Sequence, residues 1–390
     1  MEWTRPNYYD EFQCIADACP DTCCAGWQIM IDEESLKHYQ KTTGGFGNRL
    51  TNEIDWKEKS FCQYNGNCAF LNEMGLCDIY SELGKEALCE TCKKYPRYIE
   101  EFEGVREEFL CISCPVVADM LLGRKEKVSL KITETEEEEE CYEDFDFFLF
   151  TKLQDSREYL LKMLQEREHN IETRMACLVA FGHDMQRRLR MDAVFQMDSL
   201  LEKYTDTDSM HFFEEKRKIF QKEWKERYAL SQNVFALLQS LEIRRLEWKK
   251  WLEKCHTVLH KEKYTTYMEM RKQYEAKSVE WEDSQYNTAL YQEQLTIYFL
   301  LHYYCGAVYD DAILSKTKLA VISAFVIEEM LFAKWIISKT RNKKADWIAI
   351  TYQFAREIEH SDENLEKIEK TLTSSVKFKA QSIIKAICTK

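Results

Sequence analysis

The chain has 390 residues, a net charge of −14 and 45% hydrophobic residues, so it exceeds one ordinary domain and can bury a sizeable core. Its opening, MEWTRPNYYD, has no apolar signal segment, and no basic face carries interleaved aromatics, so neither secretion nor nucleic-acid binding is expected. The expected setting is cytoplasmic, where thiols stay reduced and sixteen cysteines do not imply a disulfide framework.

Eleven of the cysteines lie between Cys14 and Cys114. The first group is Cys14-x4-Cys19-x3-Cys23-Cys24, followed by Ala25-Gly26-Trp27. Such crowding suits an iron–sulfur cluster, which offers several metal corners, better than one tetrahedral zinc. Gly26 lets the backbone bend closely around the site, and Trp27 serves either to wall off solvent or as core. Next come Cys62-x5-Cys68 with Ala69-Phe70-Leu71, then Cys77-Asp78-Ile79-Tyr80. The last group, Cys89-x2-Cys92 with Cys111-x2-Cys114 after eighteen intervening residues, has the spacing of a zinc ribbon, and structural zinc stays open as the alternative. His38 is the first histidine and precedes His169, which favours all-thiolate ligation here.

Between Glu134 and Asp146 there are nine acidic residues and no basic one, which reads as a solvated linker. All four prolines fall at or before residue 115, so the remainder should be helical. Apolar residues recur at three and four from Leu160 to Phe181, Phe235 to Leu246, Leu290 to Tyr304 and Leu319 to Ile337. Four to eight packed helices are expected, with breaks near Ser284–Asn287 and at Gly306 and Tyr309–Asp311. The stretch Leu319–Ile337 carries Glu328, Glu329 and Lys334, as a buried helix does and a membrane span does not. The fold class is therefore mainly α: an irregular cysteine-rich domain over 1–130, an acidic linker over 131–146 and an all-helical domain over 147–390. The glycines Gly44, Gly45 and Gly47 read as a loop without a βαβ unit, so a Rossmann enzyme is not indicated. There is no P-loop, no nucleophile elbow and no C-x3-C-x2-C triad.

The block Phe12 through Trp27, F-x-C-x4-C-x3-C-C-x-G-W, resembles the opening of the flagellin lysine-N-methylase family. Cys68-Ala69-Phe70-Leu71, Leu76-Cys77-Asp78-Ile79-Tyr80, Leu83-Gly84, Thr91-Cys92 through Tyr95-Pro96-Arg97, and Ser113-Cys114-Pro115 follow in the same order. The likeness covers residues 12 to 115 well and Tyr291 to Asp310 faintly. It implies a 4Fe-4S cluster, one or two, and S-adenosylmethionine-dependent methylation of lysine amines on flagellin. It carries the ligand role to Cys14, Cys19, Cys23, Cys24, Cys68, Cys77, Cys92 and Cys114. The chain departs from the family pattern in its additional Cys62, Cys89 and Cys111 and in Ala69, where proline is usual.

A lysine amine must be neutral to attack a methyl sulfonium, so a nearby carboxylate or tyrosine is required. Tyr291, Glu293 and Tyr298, with Tyr303 and Tyr304, are the catalytic candidates, although a core aromatic stripe has the same spacing. Arg97 and Trp27 are the cofactor-binding candidates, Arg97 for a carboxylate. The competing readings are a zinc- or iron-chelating module and a redox-sensing module, neither with methyl transfer.

Overall fold

The computed structural model describes residues 1–136, 144–283 and 286–390. The cysteine-rich part alternates short strands and short helices. In chain order these are β1 (Glu2–Pro6), α1 (Glu33–Lys41), α2 (Gly44–Glu53), β2 (Ile54–Asp55), β3 (Ser60–Phe61), β4 (Gln63–Tyr64), β5 (Asn67–Cys68), α3 (Asp78–Leu83), α4 (Glu90–Lys94), β6 (Arg97–Phe102), β7 (Val105–Leu110), α5 (Pro115–Leu122) and β8 (Leu130–Glu134). Four strands form one sheet in the order β6-β7-β1-β8. In it β1 runs parallel to β7, with Glu2 opposite Val105, and antiparallel to β8, with Pro6 opposite Leu130. This sheet was not anticipated. Its last strand falls in the stretch read as linker from residue 131, while 137–143, with most of the acidic run and Cys141, lie outside the described residues.

The rest is helical, as the missing prolines require: α6 (Phe147–Leu164), α7 (Ile171–Arg190), α8 (Met197–Thr205), α9 (Thr207–Phe220), α10 (Trp224–Gln239), α11 (Leu246–His260), α12 (Tyr264–Trp281), α13 (Thr288–Tyr303), α14 (Ala307–Asp310), α15 (Ile313–Ser338), α16 (Lys344–Glu359), α17 (Asp362–Ser374) and α18 (Ala380–Ile387). Among the described residues these are thirteen α-helices, more than the expected four to eight. The apolar pattern read from Leu160 to Phe181 is two helices, α6 and α7, and the one from Phe235 to Leu246 spans the end of α10 and a loop. The glycines at 44–47 open α2 instead of forming a loop. The expected turn after Gly306 is present, with Asp311 left-handed at φ +53° before α15. The other expected break includes Ser284 and Gln285, which lie outside the described residues.

Helix α15 is apolar on all sides and lies buried at the centre of the bundle. Its Glu328 and Glu329 are met there by Arg227 and Arg271; burial would raise Glu328, but the two arginines hold it down to about 2. Arg227 Nη2 is 2.9 Å from Glu329 Oε1, Arg271 pairs with both carboxylates, and Tyr267 donates to Glu329 Oε2 at 2.8 Å. Lys334 pairs with Asp346 at 3.1 Å. Among the described residues no helix is long and apolar enough to cross a membrane.

Packing divides the chain differently from the cysteine count. One large core joins the sheet and α5, through Tyr8, Phe109, Val117 and Leu121, to the helices from α6 to α18. A buried ion pair fastens this union: Arg157 of α6 donates to Glu107 of β7 at 2.6 and 2.5 Å. A second, small core gathers Ile29, Ile31, Leu36, Tyr39, Leu50, Phe61, Phe70 and Ile79.

Candidate metal centre

The small core carries most of the thiols on its surface, and backbone pairing brings them together. Cys68 N donates to Cys24 O at 2.8 Å and Gly26 N to Gly66 O at 2.7 Å, which lays the first cysteine loop against the β4–β5 ribbon. Asn72 Oδ1 accepts from Met74 N and Leu76 N, tightening the turn that returns the chain to Cys77. Cys77, Cys89 and Cys114 are the N-cap residues of α3, α4 and α5. Backbone amides at these helix starts reach the sulfurs and favour thiolate.

Cys23 and Cys77 both act on Cys24 at close range. The interaction with Cys24 lowers Cys23 and Cys77 to about 7, and the same interaction, with burial, raises Cys24. Cys89 and Cys92 form a second such pair: Cys92 holds the proton and Cys89 is lowered. The charges of Cys77 and Cys23 act on Cys92, those of Cys77 and Cys89 on Cys68, and those of Cys19 and Cys23 on Cys114, so the sulfurs share one neighbourhood. Burial raises Cys68 to about 12 and Cys114 to about 11. Cys14 is exposed, beside Cys19. Cys62 stands apart, facing Glu53 and Asp55. Cys89, set outside the eight inherited ligand positions, pairs directly with one of them.

Among the described residues no three histidine, cysteine or carboxylate side chains are placed to hold a single metal ion. The donor set is nevertheless of one chemical kind: soft sulfurs from separated segments, several of them amide-bonded and acidified. That chemistry fits a thiolate-held group.

The helical body grips this loop through Asp21, between Cys19 and Cys23. Arg245 Nη1 lies 2.9 Å and Arg356 Nη1 2.7 Å from Asp21 Oδ2. Burial alone would raise this carboxyl, but Arg356 and Arg245 hold it below the usual range. Arg245 Nη2 also donates to Ala25 O at 3.0 Å, and Arg356 Nε to Ser113 O at 2.9 Å. Trp27 Nε1 donates to Cys23 O at 2.8 Å, and its ring lies 4.7 Å from His360 and 5.8 Å from Tyr95. Trp27 therefore covers the loop on the side facing α16. Arg97 is exposed and lies over Phe12 and Tyr9, at 5.4 and 5.9 Å.

The catalytic candidates of α13 separate. Tyr298 points to the thiol end: its hydroxyl donates to Glu359 Oε1 at 2.7 Å, and Tyr303 adds a second donor at 3.3 Å. Burial pushes Glu359 up to about 8, its Oε2 is shielded from solvent without a partner, and Cys111 lies close by. Tyr291 and Glu293 face a cavity at the other end of α13, and Tyr304 is tied to Ser156 at 2.9 Å in the core. The sequence reading missed Asp21, Arg245, Arg356, Glu359 and His360. Only Asp21 had a local signal, its place among the first four cysteines.

Residues 157–384 match the family model described as the FliB lysine N-methylase C-terminal domain. The chain belongs to that family. Over 136 residues this methylase-family chain is 29% identical to the flagellar biosynthetic protein FliU of Salmonella muenchen, covering 33% of the chain and 80% of the relative. It is 29% identical over the same length to the lysine-N-methylases of Salmonella typhimurium and Salmonella choleraesuis, covering 34% of each. The aligned part thus spans about a third of those lysine-N-methylases. No solved structure matches the chain significantly.

Proposed function

We propose that this chain is a protein-lysine N-methyltransferase acting on flagellin, with S-adenosylmethionine as donor and an iron–sulfur cluster held by its thiols. The observation that carries the reading is the gathering of cysteines from four segments, with Cys111 beside the Glu359–Tyr298 pair, in a chain of the lysine N-methylase family. Cys19, Cys23, Cys24, Cys68, Cys77, Cys92 and Cys114, with Cys14 at the rim, are the residues that would hold the cluster. Bound there, it would supply Lewis-acidic iron and a site for one-electron chemistry.

In the transfer the substrate amine attacks the sulfonium methyl carbon, the N–C bond forms as the C–S bond breaks, and the thioether leaves neutral. The amine must first lose a proton. Glu359 suits that role, because a carboxylate raised to about 8 is a stronger base than an ordinary one. Tyr298 and Tyr303 donate to its other oxygen and fix its orientation. Trp27, Tyr95 and His360 form an aromatic wall on the α16 side of the loop, while Cys14 and Cys23 stay open to solvent.

The test is anaerobic purification followed by metal and sulfide analysis and a methyl-transfer assay on flagellin. A brown protein with acid-labile sulfide and donor-dependent methylation is expected. A colourless protein with stoichiometric zinc and no transfer overturns the reading in favour of a chelating module. Cluster-linked change in partner binding without transfer would make it a redox sensor.

A further inference from the structure

A cavity of about 760 Å³ opens at the far end of the helices that reach the thiols. Its wall includes Leu122 and Gly123 at the end of α5 and Lys344 at the start of α16. Eight residues of α5 separate it from Cys114, about 12 Å at the helical rise, so it is a distinct place from the thiol centre. The volume is that of a small-molecule site.

Three long helices, α7, α13 and α16, begin on this wall, through Ile171, Ala289 and Lys344. Each helix start carries about half a positive charge and first-turn amides without intrahelical partners. That of α7 has no side-chain cap from Asn170. The wall also holds Arg167 and Arg174, which share one carboxylate: Arg167 Nη2 lies 2.7 Å and Arg174 Nη1 2.6 Å from Glu293. Two guanidiniums against one carboxylate leave a positive charge over. Arg174 is almost fully buried, and its Nε has no partner. Among the other charges, Glu172 pairs with Lys390, Asp283 with Arg341 and Lys344 with Asp119. Lys125 and Glu168 cancel. The balance is positive, with an unused donor in the wall.

The geometry points to a binding site here for a small molecule of nucleotide size that carries an anionic group, its carboxylate or phosphate held by Arg167, Arg174 and the α7 start. Glu293, neutralised by both arginines, is a positioning residue for them.

Isothermal titration of the full chain with inorganic phosphate, adenosine diphosphate, S-adenosylmethionine and neutral adenosine separates the possible sources. Saturable binding of at least one charged probe is expected, weakened about tenfold in Arg167→Gln, where one guanidinium contact is lost. The exposed Lys125→Glu variant should weaken it too and leaves no buried group unpaired. Tighter binding of the diphosphate marks a phosphate ligand, and tighter binding of the methionine derivative marks a carboxylate ligand. No saturable binding by the native chain, adenosine binding as well as the charged probes, or affinities unchanged in both variants overturns the proposal. The readout involves no methyl transfer, so it succeeds or fails independently of the methyltransferase reading.

Discussion

Gly26 has φ +88°, and a Cβ there would come 2.4 Å from Arg245 Nε. Alanine would strain the backbone and also push away the arginine that reaches Asp21 and Ala25. Gly26→Ala should therefore cost about 1–3 kcal/mol and lower the metal retained on purification, which metal analysis and thermal melting together would show. Glu359 gives a prediction in pH. Its folded value, about 8, lies above the ordinary carboxylate value of 4.5, so the folded state holds this proton more tightly than the unfolded chain does. The stability it contributes is complete below the unfolded value and is lost as pH rises to about 8. Glu357, raised to about 7 by burial, acts with the same sign. The native melting temperature should fall across that range, and Glu359→Gln should flatten the slope without abolishing it. An unchanged slope in the variant would remove Glu359 from its assigned place.

At the scale of elements, α16 and the loop before α11 act on the cysteine loop through one carboxylate. Asp21→Asn leaves Arg356 and Arg245 facing a neutral amide, and the loss should be about 2–4 kcal/mol for partly buried charges. Because the small core keeps its own packing, the predicted sign is loosening of residues 13–27, seen as faster amide exchange there, with the bundle unaffected. These contacts also show where the sequence stopped being informative. Asp21 and Arg245 are 224 residues apart, and no local pattern announces such a pairing. The buried α15 was legible because its apolar run carries charges that only partners could accommodate. The break between α6 and α7 was not, since residues 165–170 contain neither glycine nor proline. The loop at 240–245 lacks both as well. The sheet was hidden for another reason: its strands are five or six residues long, and the pairing partners of β1 lie about a hundred residues on. The cysteines were legible as a constellation, whereas Glu359 was indistinguishable from any other acid on a helix.

For the whole molecule the decisive fact is that it has two cores of unequal size. On the proposal that the thiols hold metal, its removal by chelation should melt the small core in a separate, lower transition, while the bundle and sheet melt together above it; calorimetry of the same sample before and after chelation would resolve the two. Glu107→Gln should act on the upper transition alone, by about 3–5 kcal/mol, because it strands Arg157 in the large core. A single transition shifted by both treatments would contradict this division.

The sheet order has a consequence for the chain as heritable material. β1 ends at Pro6 and β6 starts at Arg97, and only β7 lies between them, so the two attachment points stand about 10 Å apart. Everything from 7 to 96 leaves the sheet and returns to it as a cassette plugged into one narrow socket. Such a cassette can be lengthened or shortened in its own turns while its two ends, its Asp21 and Trp27 contacts with the bundle and the Tyr8 anchor in the large core stay in place.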